Sequence, residues 1–290
     1  MSVAHPIIAV TGSSGAGTST VKHAFEDIFR RGGIKPVVVE GDSFHKYDRM
    51  GMREAVAKAE AEGEILTHFG PKGNCLDGLE RLFQNYSETG KGERRFYIHS
   101  DAEGIPYNQA AGTFTPWEEI EGNTDLLFYE GLHGGIVTDD VNIAQFTDLL
   151  IGVVPVINLE WIQKIKRDCT NRGYSTEAVV DIILKRMPDY INHITPQFSR
   201  SHINFQRVPL IDTSNPFVMR EIPTPDESLV VIRFKDPKMA DFPYYLSMLK
   251  DSFMSRPNNL VVPAVKMGLA MEVILTPFIE EMMIKKRQRG

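Results

Sequence analysis

The stretch Ile7-Ile8-Ala9-Val10-Thr11-Gly12-Ser13-Ser14-Gly15-Ala16-Gly17-Thr18-Ser19-Thr20 decides how the chain is read. Its first four residues form a short apolar run, the pattern of a fully buried strand. After the glycine- and serine-rich turn, Val21, Ala24, Phe25, Ile28 and Phe29 recur at helical spacing until Gly32-Gly33 stops the helix. Gly12 to Ser19 matches G-x-x-x-x-G-K-[ST] everywhere except at the lysine, which is Thr18. In such a loop backbone N–H groups turn inward around a phosphate chain, and the helix N-terminus adds partial positive charge. Gly12, Ser13, Ser14, Gly15, Ala16, Gly17, Thr18, Ser19 and Thr20 are therefore the candidate ATP-binding segment, with the Ser19 hydroxyl placed to ligand Mg²⁺. A plain glycine-rich turn with a Ser or Thr helix cap has the same composition; the strand before and the helix behind set this one apart. A dinucleotide-binding reading fails, because Thr20 stands where the third glycine belongs. The missing lysine demands that another cation reach the phosphates.

Outward from this loop, Val37–Val39, Leu126–Glu130, Leu149–Val154, Val208–Ile211 and Leu229–Phe234 read as buried strands, and Arg95–His99 as a short one. Helices are expected around Met52–Glu62, around Leu76–Phe83, over Asn158–Asn171 and Thr176–Met187, and at the amphipathic Met267–Met283. Asp101–Thr115 reads as a mobile surface loop. Short apolar strands alternating with helices specify an α/β fold, a mostly parallel sheet with flanking helices. No linker divides the chain, so residues 1–290 read as one P-loop kinase-like domain with insertions and a helical lid segment at about 158–200.

Composition excludes several classes. The 290 residues are 42% hydrophobic and 24% charged, as in an ordinary globular chain with a sizeable core. A net charge of −6 argues against a broad nucleic-acid surface. The two cysteines, Cys75 and Cys169, are too few for a disulfide framework or a structural zinc site. No apolar stretch is long enough to span a bilayer and no leader pattern opens the sequence, so no membrane partner and a cytoplasmic location are expected. The run Lys285-Lys286-Arg287-Gln288-Arg289 reads as a solvated tail, and His5, His23, His68, His193 and His202 show no metal-ligand spacing.

Acids and bases cluster at strand ends. Val37–Glu40 runs into Gly41-Asp42-Ser43-Phe44-His45, and ligands of open parallel sheets sit at the strands' carboxyl ends. Asp42 could there accept the proton of a hydroxyl attacking the γ-phosphate, or it could simply cap a turn. His45 and Arg49 follow closely and suit a phosphorylated substrate. Leu126–Tyr129 ends in Glu130, the pattern of a Walker B acid that holds the metal or its water. On the Asn158–Asn171 helix, Lys164, Arg167, Asp168 and Arg172 share one face. That face is either a solvated salt-bridge ladder or the supply of cations that Thr18 leaves wanting.

The run Lys164-Ile165-Lys166-Arg167-Asp168-Cys169-Thr170-Asn171-Arg172-Gly173-Tyr174-Ser175-Thr176-Glu177 resembles the signature of the phosphoribulokinases. Gly12–Ser19, Glu40–His45 and Tyr129-Glu130-Gly131-Leu132-His133-Gly134 are similar to other blocks of the bacterial form, and the likeness extends over essentially the whole chain. It implies ATP-dependent phosphorylation of D-ribulose 5-phosphate to D-ribulose 1,5-bisphosphate in the Calvin cycle, with Mg²⁺. By the same resemblance Asp42 is the catalytic base, Glu130 and Asp168 serve the metal and catalysis, Lys164 and Arg167 stabilise the transferring group, and His45, Arg49 and Arg172 bind the sugar phosphate. It further implies an octameric homo-oligomer activated by NADH, with Arg186, Arg233 and Arg256 as effector candidates. Redox switching is not expected, since the phosphate loop holds no cysteine. Two rival readings stand beside it. A uridine or pantothenate kinase would differ in the acceptor site, and a nucleotide-dependent switch or binding module would have no use for Asp42.

Overall fold

The computed structural model describes residues 4–12, 18–218 and 221–288. The chain opens with β1 (Ile7–Gly12), α1 (Thr18–Gly32), β2 (Pro36–Glu40), α2 (Arg49–Ala61) and α3 (Leu76–Thr89). Next come β3 (Glu93–Arg94), α4 (Asp101–Gly104), β4 (Glu118–Glu119), β5 (Leu126–Gly131) and β6 (Leu149–Pro155). The helices α5 (Ile157–Arg172), α6 (Thr176–Asp189) and α7 (Thr195–Arg200) follow without an intervening strand. The last third is β7 (Ile203–Pro209), β8 (Ser228–Phe234), α8 (Phe242–Met248), β9 (Phe253–Arg256), β10 (Asn259–Pro263) and α9 (Met267–Arg287).

Eight strands form one sheet in the order β2-β5-β1-β6-β7-β8-β10-β9. The first five are parallel, and the last three are added antiparallel. β1 is buried on both faces, as a strand inside a helix-covered parallel sheet must be. Its period-two alternation divides the core: Ile8 and Val10 pack with α1 and α9 through Phe25, Met271 and Ile274, while Ile7 and Ala9 pack with α3 through Leu79, Phe83 and Tyr86. Gly12 is set by close approach, since a Cβ there would lie 2.6 Å from the Val153 carbonyl oxygen on β6.

The helical hairpin α5–α6 has a small apolar cluster of its own, Ile165, Val179 and Ile183. Gly173, at φ 70°, ends α5 in the left-handed conformation, and the Ser175 side chain caps α6 by accepting from the Ala178 amide. Pro188 and one π-helical turn, Tyr190–Ile194, then lead into α7.

Several expected elements differ. Arg95–His99 is not a strand; the pairing is confined to β3 with β4 and to a single bridge between Tyr97 and Phe114. The strand expected at Val208–Ile211 lies earlier, because the buried residues are Ile203 and Phe205, and Leu210 and Ile211 are exposed. Asp101–Thr115 contains α4 and a 3-10 turn at Ile105–Tyr107. Lys286 is no solvated tail residue: its Nζ donates to the carbonyls of Thr124 and Asp125 at 3.0 and 2.7 Å.

Ile274 on α9 is fully buried against the antiparallel extension as well as β1. Ile274→Ala removes apolar contact and leaves a cavity, so stability should fall by about 2–5 kcal/mol. Urea unfolding of the variant checks this, with the slope unchanged if the fold is kept.

Candidate active site

Five parallel strands deliver their carboxyl ends to one side of the sheet, and the crevice opens above β1, between β5 and β6. Directly after β2 the chain makes a 3-10 turn, Gly41–Phe44, that presents Asp42 to this crevice. Asp42 Oδ1 lies 3.2 Å from His45 Nε2, and Oδ2 lies 3.9 Å from His99 Nε2. The Arg49 guanidinium donates to the His99 carbonyl at 3.2 Å, so Asp42, His45, His99 and Arg49 form one rim. Arg49 is the first residue of α2, which Asp48 caps by accepting from the Gly51 amide. The Asp42 turn is tied down by Arg95, whose Nε and Nη2 donate to the Ser43 and His45 carbonyls at 2.7 and 2.8 Å. The rings of Phe114 and Trp117 flank the same guanidinium at 3.7 and 4.7 Å.

Burial works to raise the pKa of Asp42. The hydrogen bond and charge of His45, with His99 and His68, outweigh it and hold the carboxyl below its ordinary value. His45 itself is buried, its Nδ1 2.8 Å from Asn74 Oδ1 and its ring 4.2 Å from that of His68. Burial, then the fields of His45 and Arg186, lower His68 to about 3. Burial likewise lowers His133 to about 4, and its Nε2 donates to the Phe69 carbonyl at 3.0 Å. Both rings are neutral at neutral pH.

Glu130 stands beside Glu40 in the register of β5 with β2. Burial, followed by the charge of Glu40, raises its pKa to about 7. A carboxylate so placed is short of a cation. On α5, Asp168 is buried with its side chain 4% exposed, 2.5 Å from Lys164 Nζ and 3.1 Å from Arg167 Nε. The solvated-ladder reading of this helix is thereby corrected, because a buried carboxylate holding two cations is not a surface face. Burial opposes the charge of Asp168, but Lys164 and Arg167 more than offset it and its pKa is lowered. Lys164 is lowered too, by burial first and by Arg186 and Arg167.

The structure thus brings together Asp42, His45 and Arg49 on one rim, Glu130 beside Glu40, and Lys164, Arg167 and Asp168 on α5. Arg186 stands on α6 with its guanidinium over the Phe69 ring at 5.8 Å. Arg233 and Arg256 lie far along the sheet on β8 and β9, each in register with Asn259. In the phosphate loop, Gly12 ends β1 and Thr20 lies in the first turn of α1, which begins at Thr18. Ser13, Ser14, Gly15, Ala16 and Gly17, and the side chains of Thr18, Ser19 and Arg172, lie outside the described residues. Reading the sequence missed His68, Asn74, Arg95, His99 and His133. Each reaches the site from a distant segment, and no local spacing marks it.

The model of the phosphoribulokinase / uridine kinase family matches residues 7–214. The chain is 62% identical over 289 residues to the chromosomal phosphoribulokinase of Cupriavidus necator, covering 99% of both chains. It is 56% identical over 285 residues to a phosphoribulokinase of Nitrobacter vulgaris, covering 98% of each. Among solved structures, the phosphoribulokinase from Rhodobacter spheroides superposes with a TM-score of 0.91 at 53% identity, over 99% of this chain and 100% of that one.

The raised pKa of Glu130 has a consequence for stability. Its folded value of about 7 exceeds its ordinary value of 4.5, so the folded state binds the extra proton between them and stability falls as pH rises through that window. Glu130→Gln is neutral throughout. Its melting temperature should exceed that of the unsubstituted protein at pH 8, with the gap closing toward pH 5, in thermal melts without nucleotide.

Proposed function

The chain belongs to the phosphoribulokinase / uridine kinase family, and we propose that its site works by in-line transfer of the γ-phosphoryl group of ATP to D-ribulose 5-phosphate. The chain is a kinase acting on an alcohol group, and its product is D-ribulose 1,5-bisphosphate, the Calvin-cycle step. One observation carries this over the uridine and pantothenate alternatives: identity of 62% across 99% of a chain named phosphoribulokinase. The acceptor rim supports it. Asp42 stands among His45, His99 and Arg49, a cation-rich border that suits an anionic sugar phosphate and has no use in a binding-only module.

In the reaction the attacking hydroxyl gives its proton to Asp42 as its oxygen bonds to the γ-phosphorus, and the bond from phosphorus to the β–γ bridging oxygen breaks to release ADP. Arg49 and Arg172 hold the sugar's existing phosphate, with His45 contributing the charge of its ring beside them. Lys164 and Arg167 take the place of the absent P-loop lysine, moving toward the phosphates with the α5–α6 hairpin as a lid. The separate apolar cluster of that hairpin supports motion as a unit.

Glu130 and Ser19 would hold the Mg²⁺ that the family requires, and the ion would neutralise charge on the phosphate oxygens. The cation-short carboxylate of Glu130 fits this role. Asp168, the other metal candidate, accepts from Lys164 and Arg167, which supports a role in orienting them. Among the described residues no group of three or more side chains could cage a metal, as expected where phosphates supply most ligands.

NADH activation and octameric assembly belong to the same reading. Arg233 and Arg256, in register on either side of Asn259, would receive the anionic pyrophosphate of such an effector. Arg186 instead sits near Lys164 and Phe69, by the lid. Among the described residues no helix is long and apolar enough to cross a membrane, in keeping with work in the cytoplasm.

An ADP-release assay with ribulose 5-phosphate, uridine and pantothenate as parallel acceptors should show turnover with the first alone, and Asp42→Asn should lower kcat by about 10²–10⁴-fold with little change in KM for ATP. Lys164→Met should lower kcat strongly with small changes in either KM, as expected of an interaction made in the transition state. A side chain that served stability alone would shift the thermal midpoint and leave turnover nearly intact, so both are measured on one preparation.

A further inference from the structure

Asn74 lies at the end of the loop before α3 and touches the catalytic rim through His45. Its Nδ2 donates to two backbone carbonyls, His68 at 2.9 Å and Gly70 at 2.7 Å. Both amide protons are thereby used, and the orientation of the amide is settled, because the flipped arrangement would set its oxygen against two carbonyl oxygens. Oδ1 therefore faces His45 Nδ1 at 2.8 Å, and an oxygen can only accept there. It follows that His45 Nδ1 carries a proton.

The other ring nitrogen then has one role left. Nε2 lies 3.2 Å from Asp42 Oδ1. A ring protonated at Nδ1 alone would set an unprotonated nitrogen beside a carboxylate oxygen, whereas a second proton on Nε2 makes the contact an ion pair. The ring cannot turn away to avoid the contact. It is buried, packed at a tilt against His68, edge-on to Tyr97, and held by the bond from Arg95 to its own carbonyl.

We propose that Asn74 is a positioning residue for phosphoryl transfer: by holding the proton on His45 Nδ1 it keeps the ring protonated on both nitrogens and ion-paired with Asp42 through Nε2. This deepens the kinase reading and rests on it. With the charged ring beside Oδ1, the second carboxylate oxygen, Oδ2, is left for the proton of the attacking hydroxyl. That proton moves from the substrate oxygen to Oδ2 as the oxygen–phosphorus bond forms, and the imidazolium keeps both of its own. The cationic ring also remains at the rim where the sugar phosphate's charge must be held. Without an acceptor at position 74 the Nδ1 proton is no longer required, and a ring carrying only Nε2–H keeps the Asp42 contact while losing its charge.

The test is ¹⁵N NMR of the full-length enzyme labelled at histidine, with the His45 signals assigned through His45→Gln. At neutral pH both ring nitrogens of His45 should be protonated; an Nδ1 without a proton overturns the proposal. In Asn74→Leu the Nδ1 proton should be lost, and kcat for ribulose 5-phosphate should fall on the order of 10–100-fold, as when a partner that fixes an imidazole tautomer is removed. KM for ATP should stay within about twofold, since the change is confined to the acceptor side. A folded Asn74→Leu enzyme with unchanged kcat or an unchanged His45 spectrum would overturn it. Should the variant fail to fold, the spectrum of the unsubstituted enzyme still decides. Failure of the kinase reading would show separately, as absence of turnover on ribulose 5-phosphate before any substitution is made.

Discussion

Everything above the sheet depends on the parallel pairing of β1 with β5 on one side and β6 on the other. Register sets Thr11 opposite Gly131 and Gly12 opposite Val153, so the strands end at one level. β2 joins in the same sense and brings Glu40 level with Glu130. Parallel strands place every carboxyl end on the same side, and the loops that leave them must therefore share one crevice. The end of β1, Asp42 and Glu130 meet there, although Gly12 and Glu130 are more than a hundred residues apart in the chain. The pairing also carries a cost: two carboxylates emerge side by side from buried strands, and the raised pKa of Glu130 is the sign of it.

Thr18 in place of lysine shifts the supply of positive charge to α5. A buried carboxylate without partners is costly, and so is a buried ammonium; Asp168 with Lys164 and Arg167 relieves both. The triplet keeps the two cations of α5 oriented and partly desolvated. In the reaction proposed for the chain, arriving phosphate oxygens would compete with Asp168 for these donors and exchange one anionic partner for another.

Most of the parallel half was legible in the sequence because its strands are short apolar runs bounded by turn residues: Ile7–Val10, Val37–Val39, Leu126–Tyr129 and Leu149–Val154 need no partner to be recognised. The antiparallel extension was less so. β10 is five residues, Asn259–Pro263, and β9 alternates exposed and partly buried positions, which makes weak periodicity. At Arg95–His99 alternating residues imitate a strand, but Arg95 is held by loop carbonyls and aromatic rings instead of a neighbouring strand. Acids at strand ends declared themselves through position. Histidines did not: His68, His99 and His133 gain their significance from rings and carbonyls brought near by folding, and the sequence shows only that His68 lacks metal-ligand spacing.

Those histidines bear on how a carboxyl held below its ordinary pKa can serve as base. Were every imidazole around Asp42 charged, the acid would be weaker still as a proton acceptor and the bisphosphate product harder to release. Burial keeps His68 and His133 neutral, confining the cations to the rim. A weak base suffices for phosphoryl transfer, because its transition state is loose and the attacking oxygen bears little developing charge until the bond to the leaving group has largely broken. The demand on Asp42 is accordingly geometric more than thermodynamic. Its oxygen must face the hydroxyl at the moment of transfer, and that placement is supplied by the Arg95 clamp on the 3-10 turn and by the His45 ring locked between Asn74 and His68.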